Sequence, residues 1–144
     1  MKNTLIIAII MLISVNTAYC ATLESEQEAR LFADNVMKSV VTGDIKAAFD
    51  KLKPYVGVPE TEIDSVYLQS KAQRDQRKER IGNTIGYEFI ASKRVGQSLF
   101  RLIYIEKTEK TIFFWSFYFY QVDKGWMLEL FNFGDSLPAL FQAV

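Results

Sequence analysis

The chain has 144 residues, of which 49% are hydrophobic and 24% are charged, proportions typical of one globular domain and not of a disordered chain. Its 17 basic residues equal its 17 acidic residues, so no overall charge attracts nucleic acid or an anionic membrane surface. The absence of histidine excludes the commonest general base and the usual zinc ligand. We therefore expect no nucleic-acid partner, no metal and no cofactor.

The first twenty residues have the pattern of a secretory signal peptide. Lys2 precedes an almost unbroken apolar run from 5 to 13, and small residues stand near the predicted cleavage point after Cys20. The run has about nine residues, whereas roughly 20 are needed to span a bilayer, so we predict no membrane anchor after cleavage. The mature domain, 21–144, is predicted to be periplasmic or secreted, with 16 basic and 17 acidic residues once Lys2 is lost.

Cys20 is the chain's single cysteine. Cleavage after it would leave the mature domain without any thiol, which excludes disulfides and thiol chemistry. Lipid attachment at Cys20 is the alternative, but the bulky Tyr19 stands where that modification calls for a small residue. We therefore favour simple cleavage.

Two helices are predicted at the start of the mature domain. Ser25 and Glu28 form a capping box, and apolar residues recur behind them at helical spacing up to Gly43. Asp44 can cap a second, short helix, which Pro54 ends because proline lacks the amide donor. These two helices are expected to pack as a corner.

A third helix is predicted from about Glu60 to near Gly82. Its segment 69–80 is almost wholly polar, with acidic residues placed among basic ones. Such a mixed pattern is typical of a solvated face, and a docking patch around Arg74 to Arg80 is the alternative.

Beyond Gly82 the sequence favours β-strands. Four segments rich in aromatic and branched residues are separated by turn residues, at 84–92, 98–107, 111–122 and 126–133. The last two are expected to pair directly across a three-residue loop, Asp123 to Gly125. The predicted fold class is α+β, with N-terminal helices packed on a curved, mainly antiparallel four-stranded sheet. A short apolar tail with Leu137, Leu140 and Phe141 is expected to fold back on that sheet.

The segment 112–120 places large aromatic side chains on both faces of one strand. Both faces need cover, and the N-terminal helices can cover only one of them. We therefore predict that a ligand, a neighbouring strand or a second copy of the chain shields the other face. An uncovered strand of this kind promotes aggregation, so a homodimer formed through the sheet is a natural solution.

Several short motifs resemble the nuclear transport factor 2-like superfamily, in particular its small exported members: Ala33-Asp34, Gly43-Asp44, Val95-Gly96, and the strand Trp115 to Tyr120 followed by Gly125-Trp126. The resemblance covers roughly Ser25 to the C-terminus. It implies a cone-shaped α+β fold, shared with ketosteroid isomerases and polyketide cyclases, with a cavity between the concave sheet and the helices. Enzymes of that superfamily place an aspartate, a histidine or tyrosines in this cavity.

The residues that could line such a cavity are polar or aromatic and are spread over all four strands: Tyr87, Glu88, Arg101, Tyr104, Tyr118, Trp126 and Asn132. Alternation along a strand puts Arg101 and Tyr104 on opposite faces, so only one of them can enter the cavity. The sequence leaves open which face lines it. Asp34 falls on the polar side of its helix, and we find no convincing general base.

No phosphate loop, nucleotide-binding glycine motif, nucleophile elbow or calcium loop occurs in the chain. This favours an exported, non-enzymatic domain that binds a small apolar or amphipathic molecule or a protein partner of the cell envelope. One alternative is an accessory subunit of an envelope assembly. Another is a cavity enzyme of the isomerase or hydrolase type, which requires Glu88 or an aspartate within hydrogen-bond reach of a tyrosine inside an enclosed cavity.

Overall fold

A computed structural model of the chain describes residues 20–144. The predicted signal peptide therefore falls, except for Cys20, outside the described residues. In the described part, helices come first, an antiparallel sheet follows, and a short helix comes last, so the predicted α+β fold class is confirmed. The elements are α1 (Glu26–Val41), α2 (Ile45–Leu52), a 3₁₀ turn (Lys53–Tyr55), α3 (Glu60–Gln76), α4 (Lys78–Ile81), β1 (Thr84–Val95), β2 (Leu99–Thr108), β3 (Ile112–Val122), β4 (Gly125–Gly134) and α5 (Leu137–Ala143).

The predicted caps of the first two helices are present. Ser25 Oγ accepts a hydrogen bond from the Glu28 amide at 3.1 Å, and Asp44 Oδ1 accepts one from the Ala47 amide at 2.9 Å. Each bond satisfies an amide that has no partner inside its own helix. The 3₁₀ turn that holds Pro54 follows α2 directly, as the proline predicts.

Arg77 divides the third predicted helix in two. We expected one helix from about Glu60 to near Gly82, but Arg77 leaves the helical conformation with φ −105° and ψ 7°. Its Nη2 atom lies 2.5 Å from Asp135 Oδ2, beyond the last strand. No glycine or proline marks this break in the sequence, so only the tertiary structure shows it. Gly82, with φ +75°, ends α4 as a left-handed glycine commonly does.

The four strands form one antiparallel sheet in the order β1-β2-β3-β4. The predicted pairing of the last two strands is confirmed, but their loop contains two residues, Asp123 and Lys124, and not three, because Gly125 already pairs with Val122. Gly125 has φ +133°, and a Cβ there would stand 2.4 Å from the Leu23 carbonyl oxygen. Only glycine fits this close approach.

Extra residues interrupt the strand pairing at three places, Ile85 and Ile90 in β1 and Glu129 in β4. Such β-bulges bend a strand and increase its twist, which gives the sheet its curvature. The first half of β4 is also covered at its edge, since Leu23 and Val56 form isolated bridges with it.

One face of the sheet, called the inner face below, packs on α1 and α2. Met37 of α1 and Phe49 of α2 belong to the same buried cluster as the inner-facing side chains of β2 and β3. The Phe49 ring centroid lies 6.2 Å from that of Trp115, in an edge-on contact. The strand residues of this cluster are Phe100, Leu102, Tyr104, Trp115, Phe117 and Phe119.

The helix α5 covers the middle of the opposite face, called the outer face below. Arg101 projects from this face and donates a hydrogen bond to the Ala143 carbonyl at the end of α5. Ile103 and Ser116, which pair with each other at the middle of the outer face, are buried, and so is Leu140 of α5. The apolar tail predicted to fold back on the sheet is therefore a helix.

Strand β3 carries large side chains to both faces, as the segment 112–120 predicts. We expected that something besides the domain's own helices would shield the second face. This is wrong for the middle of the strand, where α5 supplies the cover. Toward the hairpin that joins β3 and β4, Tyr118 is half-buried and Tyr120 is 45% exposed, so cover by a ligand or a second chain stays a prediction there.

The substitution Leu140→Ala tests the docking of α5. We expect it to lower the free energy of unfolding by about 2 kcal/mol, the low end for a buried leucine, because its cluster is small. Urea denaturation measures the loss, and amide exchange should become faster in α5. Gln142→Ala, at an exposed position of the same helix, is the matched control and should change stability by less than about 0.5 kcal/mol. Equal effects of the two substitutions would contradict this packing.

Candidate functional site

The two faces of the sheet divide the seven predicted site residues between them. The strand registers confirm that Arg101 and Tyr104 point to opposite faces. The inner face carries three of the seven, Tyr87, Tyr104 and Trp126, and the outer face carries the other four, Glu88, Arg101, Tyr118 and Asn132. No single cavity can therefore gather all seven.

On the inner face, Tyr104 pairs with a carboxylate of α1. Its hydroxyl donates a hydrogen bond to Asp34 Oδ1 at 2.9 Å, and Arg30 Nε approaches the same oxygen at 3.4 Å. Asp34 is half-buried in this contact, so the expectation that it lies on the polar side of its helix is only partly correct. Burial raises the pKa of Tyr104, and the hydrogen bond to Asp34 adds to the shift. The phenol therefore stays protonated and acts as a donor.

The Tyr104–Asp34 pair meets the hydrogen-bond requirement of the enzyme hypothesis, but close-packed rings surround Tyr104 where that hypothesis requires an enclosed cavity. Tyr104 has no exposed surface, and the rings of Tyr87, Phe89 and Phe117 lie 5.3–6.2 Å from it. The Tyr104 hydroxyl therefore has no contact with solvent in this structure. The pair is thus better explained as a bond that holds α1 against β2.

Trp126 closes one end of the same core. Its backbone exchanges hydrogen bonds with Leu23, at 2.8 and 2.7 Å, and its ring meets that of Phe100 at 4.7 Å. The guanidinium of Arg94 lies over the indole at 5.7 Å. Trp126 is almost fully buried by these contacts, so they explain it without a ligand.

Glu106 is a buried charge that our sequence analysis missed. Its carboxylate has no exposed surface and accepts two hydrogen bonds from Arg74, at 2.8 and 2.7 Å. Thr84 Oγ1 and Trp115 Nε1 donate to it as well, at 2.7 and 3.0 Å. A lone glutamate at an inner-facing position of an apolar strand was the sequence signal that could have revealed it. Arg74 lies in the segment 69–80, so that segment is not merely a solvated face.

Every oxygen of Glu106 is occupied by a donor of this chain, which makes the group structural. Burial by itself raises the pKa of Glu106, but the hydrogen bonds and charge of Arg74, with the two further donors, outweigh it and hold the pKa below its ordinary value. The charged carboxylate therefore stabilises the fold, and it joins α3 to the sheet.

We expect Glu106→Gln to lower the free energy of unfolding by about 3 kcal/mol at neutral pH, because Arg74 then has no carboxylate partner. Since the pKa of Glu106 is lowered by folding, its contribution is present above about pH 4.5 and is lost as the pH falls further. The difference between wild type and variant in urea denaturation should therefore shrink below that pH. Glu88→Gln, at an exposed position, is the control and should have little effect at any pH. A pH-independent difference for Glu106→Gln would contradict this assignment.

On the outer face, Arg101 and Tyr118 are brought together beside a depression of about 190 Å³. They pair across β2 and β3, and Arg101 Nη1 donates to the Tyr118 hydroxyl at 3.3 Å. Lys93 pairs with Arg101 from the β1 side and lines the same depression. The remaining lining residues are Val95, Leu99 and Phe100. Lys93, Val95 and Leu99 were not among the predicted site residues, because their proximity depends on the register between β1 and β2.

The other two outer-face residues lie elsewhere on the sheet. Glu88 pairs with Ile105, which lies four positions along β2 from Arg101. The Glu88 carboxylate lies 3.7 Å from Lys107 Nζ. Asn132 is exposed and pairs with Ser116. Neither residue lines the depression at Arg101.

Lys93 and Arg101 have no carboxylate partner among residues 20–144. No carboxylate oxygen of the described chain lies within ion-pair distance of either cation. The two like charges stand directly opposite each other across the strand pair, an arrangement that is unfavourable by itself. The depression is therefore cationic and flanked by apolar side chains.

Two larger depressions, of about 490 Å³ each, adjoin Cys20. Within 20–144, no three histidine, cysteine, aspartate or glutamate side chains gather where a metal ion could bind. None of the helices in this range has the length and apolar character needed to cross a membrane.

No protein-family model matches the chain, and no curated protein matches it. Two solved structures show a likeness in fold. A DUF4783 family protein from Bacteroides uniformis is 10% identical, with a TM-score of 0.46 over 72% of this chain and 95% of that one. A DUF4783 family protein from Bacteroides ovatus is 10% identical, with a TM-score of 0.42 over 70% of this chain and 92% of that one. Likenesses of this size carry no argument about function.

Proposed function

We propose that this protein is an exported, non-enzymatic domain that binds a small apolar or amphipathic molecule on the outer face of its sheet. The observation that carries this proposal is the end of the outer face that α5 leaves bare, where exposed apolar side chains adjoin the depression at Arg101. Export itself stays a prediction from the signal-peptide pattern, and so does the resemblance to the nuclear transport factor 2-like superfamily.

Four apolar residues form one row across the bare end of the outer face, and we call this row the apolar shelf. The strand registers place Val95, Leu99, Tyr120 and Met127 side by side on β1 to β4. Val95 is 71% exposed and Tyr120 is 45% exposed. Because the shelf joins side chains from all four strands, it is a continuous surface and not a set of scattered apolar residues.

The composition of this region resembles that of a ligand-binding site, which supports the proposal. Ligand sites combine a mainly apolar lining with a few polar groups that orient the ligand. Here the apolar shelf supplies the apolar lining, and Lys93, Arg101 and Tyr118 supply the polar groups. No carboxylate or histidine lines the depression, so the commonest general bases are missing from its lining, which supports binding over catalysis.

A neutral apolar probe tests the proposal. N-phenyl-1-naphthylamine should bind the protein with an increase in fluorescence, and the double substitution Val95→Ser with Tyr120→Ser should weaken binding by about tenfold. The expected size follows from about 1.4 kcal/mol of lost apolar contact. Both positions are exposed, so the variant should fold normally, as thermal unfolding can verify.

The matched control is Ile85→Ser, which removes an exposed apolar side chain at the other end of β1. It should leave probe binding unchanged. If the probe does not bind the wild type, or if the control and the shelf variant have equal effects, the outer face is not the binding site.

Helix α5 carries exposed apolar side chains, and these favour a second copy of the chain as an additional partner. Leu137 is 51% exposed and Phe141 is 75% exposed on this helix, and Leu130 of β4 is exposed on the same face of the sheet. Apolar surfaces of this kind are commonly buried between subunits. We therefore propose a homodimer in which the α5 helices of two copies meet.

Light scattering tests the dimer. Wild type should have the mass of two chains, and the double substitution Leu137→Ser with Phe141→Ser should reduce it to one, since the apolar contact surface is lost. Leu68→Ser, at an exposed position of α3, should leave the dimer intact. A wild-type protein that is monomeric at its highest soluble concentration would contradict the dimer, and an envelope protein would then be the better candidate for this surface.

A further inference from the structure

We infer that the ligand of the outer face is an amphiphile with one carboxylate head group, which Lys93 and Arg101 hold while its apolar tail lies on the shelf. This inference rests on the proposed function, since it names the chemical class that the same site would take.

Uncompensated charge points to an anion. Lys93 and Arg101 face each other across β1 and β2, and Glu88, an acidic residue of β1 on the same face, lies beside Lys107. Two cations without a counter-charge attract an anion and repel a cation. A carboxylate placed at the depression could pair with both cations and would offset one of the two positive charges.

The donors of Arg101 and Tyr118 suit a carboxylate. A guanidinium has five N–H donors in a rigid plane, and the described bonds of Arg101 involve only Nη1 and Nη2. Tyr118 accepts a hydrogen bond from Arg101, and its own hydroxyl hydrogen has no acceptor among the described residues. Arg101, Tyr118 and Lys93 therefore present unused donors to one small space.

The size of the depression limits what it can take. A volume of about 190 Å³ is below the roughly 300–1,000 Å³ of a pocket that encloses a drug-sized ligand. It suits a head group and the first few carbons of a chain. The remaining tail would leave the depression past Leu99 and lie on Tyr120 and Met127, which follow it in the same row of the shelf.

The charge of the site also argues against a nucleic acid. Binding to a phosphate backbone depends on many basic contacts, and the depression has two basic residues in a chain whose charges balance. A single carboxylate needs no more than these two.

Isothermal titration calorimetry with decanoate, decanol and decyltrimethylammonium tests the inference, because the three share one tail and differ in charge. At pH 8 and low salt, decanoate should bind at least tenfold more tightly than decanol, and decyltrimethylammonium should bind more weakly than decanol. The advantage of decanoate should decrease as salt is added, since salt screens exposed charges.

Substitutions then assign the head-group site. Lys93→Gln should weaken the binding of decanoate by about fivefold, and Arg101→Gln should weaken it by about tenfold or more. The affinity for decanol should stay unchanged in both variants. Because Arg101 also holds the end of α5, Arg101→Lys keeps a charge there and should lose less affinity. Lys38→Gln, which removes an exposed charge from α1, is the matched control and should have no effect.

The outcomes separate this inference from the proposed function. Equal affinity for decanoate and decanol, or a decanoate affinity that Lys93→Gln does not change, would overturn the carboxylate assignment and leave the apolar site intact. Absence of binding by all three compounds, together with absence of probe binding, would overturn the proposed function itself.

Discussion

The structure depends on one constraint, which is that strand β3 carries large apolar side chains to both of its faces and both must be kept from water. The inner side chains, Trp115, Phe117 and Phe119, are covered completely by α1, α2 and neighbouring strands. The outer ones are covered by a helix of only seven residues. A helix of that length spans about 10 Å, so it reaches the middle of the sheet and not its hairpin end.

This unequal cover is the basis for the proposed location of the binding site. The space between helices and sheet, where the superfamily resemblance implies a cavity, contains Phe49, Tyr104 and Trp115 in mutual or neighbouring ring contacts. The bare end of the outer face has the opposite character, with exposed apolar groups beside a shallow depression. The proposed site is therefore on the side of the sheet that faces away from the N-terminal helices.

Two arginines of the sheet region differ in how their charge is compensated. Arg74 meets a buried carboxylate whose remaining oxygen positions are occupied by Thr84 and Trp115, so this cluster is complete within the chain. Arg101 meets a carbonyl and a hydroxyl, neither of which neutralises it, and its neighbour is another cation, Lys93. A satisfied ionic group stabilises the fold, whereas an uncompensated one in a partly apolar setting favours a ligand of opposite charge.

The sequence by itself determined the fold class, the caps at Ser25 and Asp44 and the four strands, because each follows from local periodicity and turn chemistry. It also determined that Arg101 and Tyr104 point to opposite faces, since side chains alternate along a strand. Only the tertiary structure decided which face the helices cover, that the apolar tail is a helix, and that Lys93 stands beside Arg101. These depend on strand register and helix docking, which join residues far apart in the chain and leave no periodic signal in it.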